Sequence, residues 1–430
     1  MNPSSPSSPP SSAPIVKVSR RVLLWLSVAW LLPWITLWWW LGRSDVSPLP
    51  MAPPLETLKA DIPATFAPEH FSVATGPWGQ LETFPVVIRA PQELLRIETT
   101  PTTHIIWCFV DFLSEDLTGL LAPLSLPKPV RSFLIDRSNW EFSNQGIAIR
   151  VPKEIVLALP NEARRQIYNV LGQWSINPYH YAPFSFRAES PDEWFENAAL
   201  SQTTRDLITP LLFRRGNSLL FSDLPLISHD IVPPRDRMEL VQALSRSTTP
   251  LARIRITADS DIDEILNYWS LGQRRRDLEP LLRSLPVDGA GSTLDLIHLL
   301  PHLPRRLLYT FPGPLQPGGQ PFRDCHWTAL NFNNAEIDDR FADINEVRIE
   351  YETAYREVAD EPQLGDLLLF ITEDGNVLHA SVHVAADLVF TKNGVGLSAP
   401  WILMHLADLL DRYPSDIPFR IQVRRAHGNS

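Results

Sequence analysis

Two cysteines occur in 430 residues, and they sit in opposite surroundings. Cys108 lies inside the apolar run HIIWCFV and reads as a buried side chain rather than a reactive thiol. Cys325 follows the Pro/Gly-rich stretch PGPLQPGGQPF and precedes Trp327, Leu330 and Asn331, which fall at helical spacing. That places Cys325 at, or just before, the first turn of a helix. A cysteine there meets partial positive charge and unpaired N–H groups, which favour the thiolate. The same N–H groups can hold an oxyanion.

A thiolate nucleophile needs a base. Downstream, GDLLLF (365–370), VLHASVHV (377–384) and LVFTK (388–392) read as three strands, with EDG as the turn between the first two. Strand alternation puts His379, Ser381 and His383 on one face. A three-residue loop over 385–387 sets Val384 against Leu388, and counting back then sets Asn393 opposite His379. Directly opposed residues share a side. A two-residue loop would instead bring Lys392 or Gly394 opposite. An imidazole with an amide beside it, presented to a helix-terminal cysteine, is how a cysteine nucleophile is built. The expected catalytic set is Cys325, His379 and Asn393.

Asp324-Cys325 opening a helix, GDLLLF about forty residues later and His379 on a hairpin strand together resemble the NlpC/P60 superfamily of papain-like cysteine hydrolases. The resemblance covers residues 304–430. It implies a helix carrying the nucleophile packed on an antiparallel sheet carrying the histidine. It also implies cleavage of amide bonds in the peptide stems of bacterial cell-wall peptidoglycan. By position Cys325 matches the nucleophile and His379 the base. A third polar residue would fall near 391–393, Asn393 or Thr391. The chain departs from the family pattern with His326-Trp327 after the cysteine, where Ser-Gly is common, and with Ala-Ser-Val-His after the histidine.

Other chemistries have little support. His383 stands about 13 Å along the strand from His379, too far for both to ligate one metal. A zinc site on Cys325, His326 and His379 lacks any helical H-x-x-x-H spacing. There is no G-x-S-x-G elbow, Walker loop or G-x-G-x-x-G, which removes the serine-hydrolase and nucleotide readings. No cofactor and no metal are expected.

The elements that position these residues follow from pattern. Residues 71–152 contain short β-branched and aromatic runs, PVVIRA, HIIWCFV, RSFLI and GIAIRV, and form a β-rich accessory region. Residues 153–303 read as mainly helical, with helices over 161–174, 235–247 and 259–285 and a strand over 251–257. Within them NPYHYAPFSF (177–186) suits a self-packed loop, with a groove lining as the alternative. Residues 307–311 read as a strand. Leu403, Leu406, Leu409 and Leu410 read as one core-facing helix.

Upstream, residues 1–21 form a Ser/Pro-rich tail, residues 22–42 carry no charge and are long enough to span a bilayer, and residues 43–70 form a Pro-rich linker. Lys17, Arg20 and Arg21 precede the apolar stretch, so the positive-inside rule sets the tail in the cytoplasm. The bulk then faces the periplasm of a bacterial inner membrane. The net charge of −11 argues against nucleic acid as a partner. The expected fold class is α+β: a single N-terminal transmembrane helix, β-rich and helical accessory regions, and a C-terminal papain-like domain. The expected function is a membrane-anchored cysteine hydrolase with peptidoglycan or a cell-envelope protein as partner. The alternative is a catalytically silent binding module of the same shape.

Overall fold

A computed structural model describes residues 72–95, 102–232, 234–271, 273–285, 291–313, 323–394, 396, 398–413 and 418–428. Pro68–Ser430 forms one compact unit. Its α+β character is evident, with helices and four antiparallel sheets. The expected fold class is corrected in one respect: among the described residues no helix is long and apolar enough to cross a membrane. The stretch 22–42 that prompted the transmembrane expectation, with its tail and linker, lies outside the described residues.

The chain begins with a hairpin of β1 (Ser72–Gly76) and β2 (Gly79–Ile88). Next, β3 (His104–Val110), β4 (Trp140–Ser143) and β5 (Gly146–Pro152) form a three-stranded sheet in the order β3-β5-β4. A second small sheet holds β6 (Phe184–Arg187), β7 (Phe213–Arg215) and β8 (Ser218–Phe221). The helices Lys128–Ile135, Asn161–Leu171 and Pro234–Leu244 pack with these sheets around a core that includes Trp107, Val130, Ile167, Trp194 and Leu240. RSFLI, read as a strand, is the second half of the Lys128–Ile135 helix. Its buried residues, Val130 and Leu134, are four apart, a stripe that a five-residue window does not reveal.

The chain then returns to its start. β9 (Ser247–Ile256) pairs with β2 along nine positions, and β10 (Ser292–Asp295) closes a sheet ordered β1-β2-β9-β10. Glu82 of β2 is 2 % exposed and lies between the guanidiniums of Arg253 and Arg255. Burial opposes its ionisation, but the two cations outweigh burial and hold its carboxyl below the usual range. The long helix expected over 259–285 is two, Ile262–Ser270 and Arg275–Arg283, separated where Leu271 takes a left-handed conformation (φ 50°).

The C-terminal sheet contains β11 (Tyr355–Glu357), β12 (Leu367–Thr372), β13 (Val377–Ala385), β14 (Leu388–Lys392), β15 (Trp401–His405) and β16 (Phe419–Ala426). Their order is β11-β16-β12-β13-β14-β15, all neighbours antiparallel. One face, with Leu367, Leu369, Ala380, Val382 and Phe390, shares a core with the Cys325–Leu330 helix and the β2/β9 sheet. The other, with Leu368, Phe370, Val389 and Met404, has a core of its own. Burial on both faces explains why β12 reads as a nearly unbroken apolar run.

Two sequence expectations change here. Residues 307–311 are not a strand: the helix His302–Leu307 ends there, and Tyr309 and Thr310 exchange backbone bonds with Trp401. The leucines at 403–410 divide between β15 and a short helix, Leu406–Leu410.

Candidate functional site

Cys325 is the first residue of the Cys325–Leu330 helix. Asp324 caps it, its carboxylate accepting from the Trp327 N–H at 2.9 Å, while the Thr328 hydroxyl donates back to the Asp324 carbonyl at 2.6 Å. The helix is anchored by Trp401 of β15, whose Nε1–H donates to Thr328 Oγ1 at 3.0 Å. A helix of under two turns contributes little by its dipole, so any activation of Cys325 depends on its side-chain neighbours.

Those neighbours are two imidazoles. Burial alone would push the Cys325 thiol up, but the charges of His326 and His379, and hydrogen bonds from both, hold it well below the ordinary cysteine value. Cys108 behaves in the opposite way, raised by burial and then by the charge of Glu141. The sequence-expected nucleophile and base are therefore brought together.

His379 approaches from β13 at a β-bulge: Phe370 faces His379 and Ile371 faces Val377, which leaves Leu378 as the extra residue. Bulges re-aim the side chain beside them. The His379 ring is 2 % exposed and lies 5.5 Å from each of the Phe370 and Tyr413 rings. Its Nε2 shares a 2.8 Å hydrogen bond with Thr391 Oγ1.

The side chain hydrogen-bonded to the His379 ring is Thr391, the alternative named above, and not Asn393. The hairpin has a two-residue loop, with Ala385 against Leu388, but a second irregularity restores Val382 against Phe390. That is the register a three-residue loop gives, and continuing it still sets Asn393 across from His379. Yet β14 ends at Lys392, and the Asn393 amide turns aside to donate to Met404 Sδ at 3.0 Å. Thr391, one diagonal step away on the same side, reaches the ring first. His383 belongs to the fold: its Nε2–H donates to the Ala386 carbonyl at 3.0 Å and closes the hairpin.

Three further groups stand here that the sequence reading left out of the expected catalytic set. His326, 7 % exposed, shares a 3.0 Å hydrogen bond through Nδ1 with the Tyr351 hydroxyl on the Ile344–Thr353 helix. Burial pulls its basicity down, yet the Cys325 and Asp324 charges raise it to about 9. Lys392 is fully buried; its ammonium donates to the Gly394 and Gly396 carbonyls and lies 5.6 Å from the Trp401 ring centre. Burial lowers it to about 8, against the raising charges of Cys325 and Asp324. Tyr181, from the aromatic stretch 177–186, is 54 % exposed and feels the charges of Cys325 and Asp324.

The run Asp-Cys-His at 324–326 was the available signal for His326, but its partner Tyr351 comes from another helix. Donor atoms of Asp324, Cys325 and His326 lie within 4.8 Å of one another. Asp324 Oδ1 accepts from the Trp327 N–H of the helix cap, and His326 Nδ1 is hydrogen-bonded to Tyr351.

Comparison of the chain with known protein families, curated proteins and solved structures gives no match.

Proposed function

We propose that the chain is a cysteine hydrolase that cleaves an amide or ester bond through the Cys325 thiolate. The observation that carries this reading is the convergence of two imidazoles from separate elements on one thiol at a helix start. In the first step the thiolate attacks the carbonyl carbon and forms a C–S bond. An imidazolium then gives its proton to the departing nitrogen or oxygen as that bond breaks. In the second, water attacks the thioester, an imidazole takes its proton, and the thiolate leaves. Thr391 fixes the His379 ring for this work. The resemblance makes peptidoglycan stem peptides the first substrate class to try.

A second reading, a catalytically silent binding module, is favoured by one observation: Cys325 is only 9 % exposed. One experiment separates the two. The full-length chain is alkylated with iodoacetamide across pH, and each cysteine is read by mass spectrometry with Cys108 as internal control. An activated nucleophile shows Cys325 reacting with a midpoint well below 8.5, the free-thiol value. A Cys325 that is protected in the folded protein, or titrates as a free thiol does, supports the binding module.

A further inference from the structure

The two imidazoles stand in unlike surroundings. His326 lies between anions: a ring nitrogen, the Cys325 sulfur and an Asp324 carboxylate oxygen are all within 4.8 Å of one another. Its Nδ1 is held by the Tyr351 hydroxyl at 3.0 Å, and it is joined to the nucleophile by a single peptide bond on the same helix. His379 lies among neutral groups, the Phe370 and Tyr413 rings and the Thr391 hydroxyl, with no carboxylate among its described hydrogen-bond partners. A positive charge is most stable where two negative charges face it and a hydrogen bond fixes the ring.

We infer that His326, fixed by Tyr351, is the principal imidazolium partner of the Cys325 thiolate, and that His379, held by Thr391, is the second imidazole, which activates the attacking water. This rests on the thiolate reading above and names which histidine does what. At rest the Cys325 S–H proton moves to His326. His326 returns that proton to the leaving group as the thioester forms. His379 then takes the proton of the attacking water, and the released Cys325 sulfur accepts that proton and passes it to His326, which restores the resting pair. The other charged or titratable groups around the pair are Asp324, Lys392, Tyr351, Tyr413 and Tyr181, with Arg424 behind Tyr351 and Arg412 beside Tyr413. Of these Lys392, Arg412 and Arg424 are cationic, and all three disfavour a further positive charge, so none explains one on His326.

The test compares alkylation midpoints of Cys325 in the full chain for the native protein and for His326→Asn, His379→Asn and Tyr351→Phe, each checked by thermal melting. His326→Asn is expected to raise the midpoint by at least about one unit, a tenfold loss of rate at acidic pH. His379→Asn is expected to raise the midpoint by less than His326→Asn does. Tyr351→Phe keeps the imidazole, removes one hydroxyl and is expected to shift the midpoint upward by a smaller amount; it carries the test if His326→Asn fails to fold. A large shift in His379→Asn with none in His326→Asn overturns the assignment, as does an unmoved midpoint in a folded Tyr351→Phe. A native midpoint at the free-thiol value instead defeats the thiolate reading itself.

Discussion

At Thr391 a single hydroxyl stands between two outcomes for the His379 ring. Its 2.8 Å bond to Nε2 fixes the imidazole, whereas Asn393 is engaged with Met404. Thr391→Val keeps the shape and leaves a buried ring nitrogen without its partner, a loss of roughly 1–3 kcal/mol. Denaturant titration should show that loss, and hydrolysis of a responsive substrate should slow; Asn393→Ala should leave the rate within twofold. Lys392 poses the opposite problem, a buried ammonium held only by carbonyls among the described residues. Burial lowers it from near 10.5 to about 8, so between those values the folded protein has shed a proton that the unfolded chain still binds. Stability therefore rises with pH through that window, and the cost is fully present below pH 8. Lys392→Met should raise stability at pH 7 by on the order of 2–3 kcal/mol and flatten this rise, measured by unfolding at pH 7 and pH 10. Cys325 and His379 were legible because a loop-to-helix junction and strand alternation are local patterns. Thr391 was not, because a diagonal contact depends on where the strand ends. His326 was not, because Tyr351 fixes its role from a helix that sequence spacing does not bring near.

Among the elements, the β12–β13–β14 ribbon was readable from its alternation and its turn residues, and it forms where expected. RSFLI and 307–311 were misread because short apolar runs suit a strand and a helix turn equally. β16 gave no sign that it would sit between β11 and β12, since a strand's neighbours are set by packing. Its place is secured by Arg425, which meets Asp366 ahead of β12 through Nε at 2.9 Å and Nη2 at 2.7 Å, both side chains almost fully buried. Removing one member of such a pair strands the other. Arg425→Ala should therefore cost about 3–5 kcal/mol in denaturant unfolding. A cost below 1 kcal/mol would show that the pair is dispensable to the sheet.

The whole molecule carries one cysteine in each of two regions. Cys108 is on β3 beside the core of Trp107 and Ile167; Cys325 opens the helix that packs on the C-terminal sheet. The regions are tied by Arg215 Nη1 donating to the Arg412 carbonyl at 3.0 Å and by Arg187 paired with Asp408. Deep in the first core, Arg164 and Asp223 form an ion pair with no exposure, and the Tyr168 hydroxyl donates to Asp223 at 2.6 Å. Asp223→Ala leaves a buried guanidinium unpaired, at a cost of about 3–5 kcal/mol. Pulsed alkylation should then show Cys108 becoming reactive at lower denaturant than Cys325. Simultaneous exposure would mean that the two cores melt as one. Composition and pattern showed an α+β chain, but not that β2 would wait for β9 some 160 residues on, because nothing local in either strand names its partner.

The position of β16 also bears on the order of events during synthesis. β12 emerges from the ribosome about fifty residues before the strand that flanks it on one side, and among the described residues β11 pairs with β16 alone. Until residues 419–426 are made, the sheet that presents His379 has an open seam in its middle, with unpaired N–H and C=O groups along β12. A ribosome paused before that point would hold a chain with Cys325 and both histidines already made, yet with no completed sheet to hold His379 in place. The sheet that holds His379 would close only once β16 is made, and a chain released before that would expose β12 as a template for aggregation.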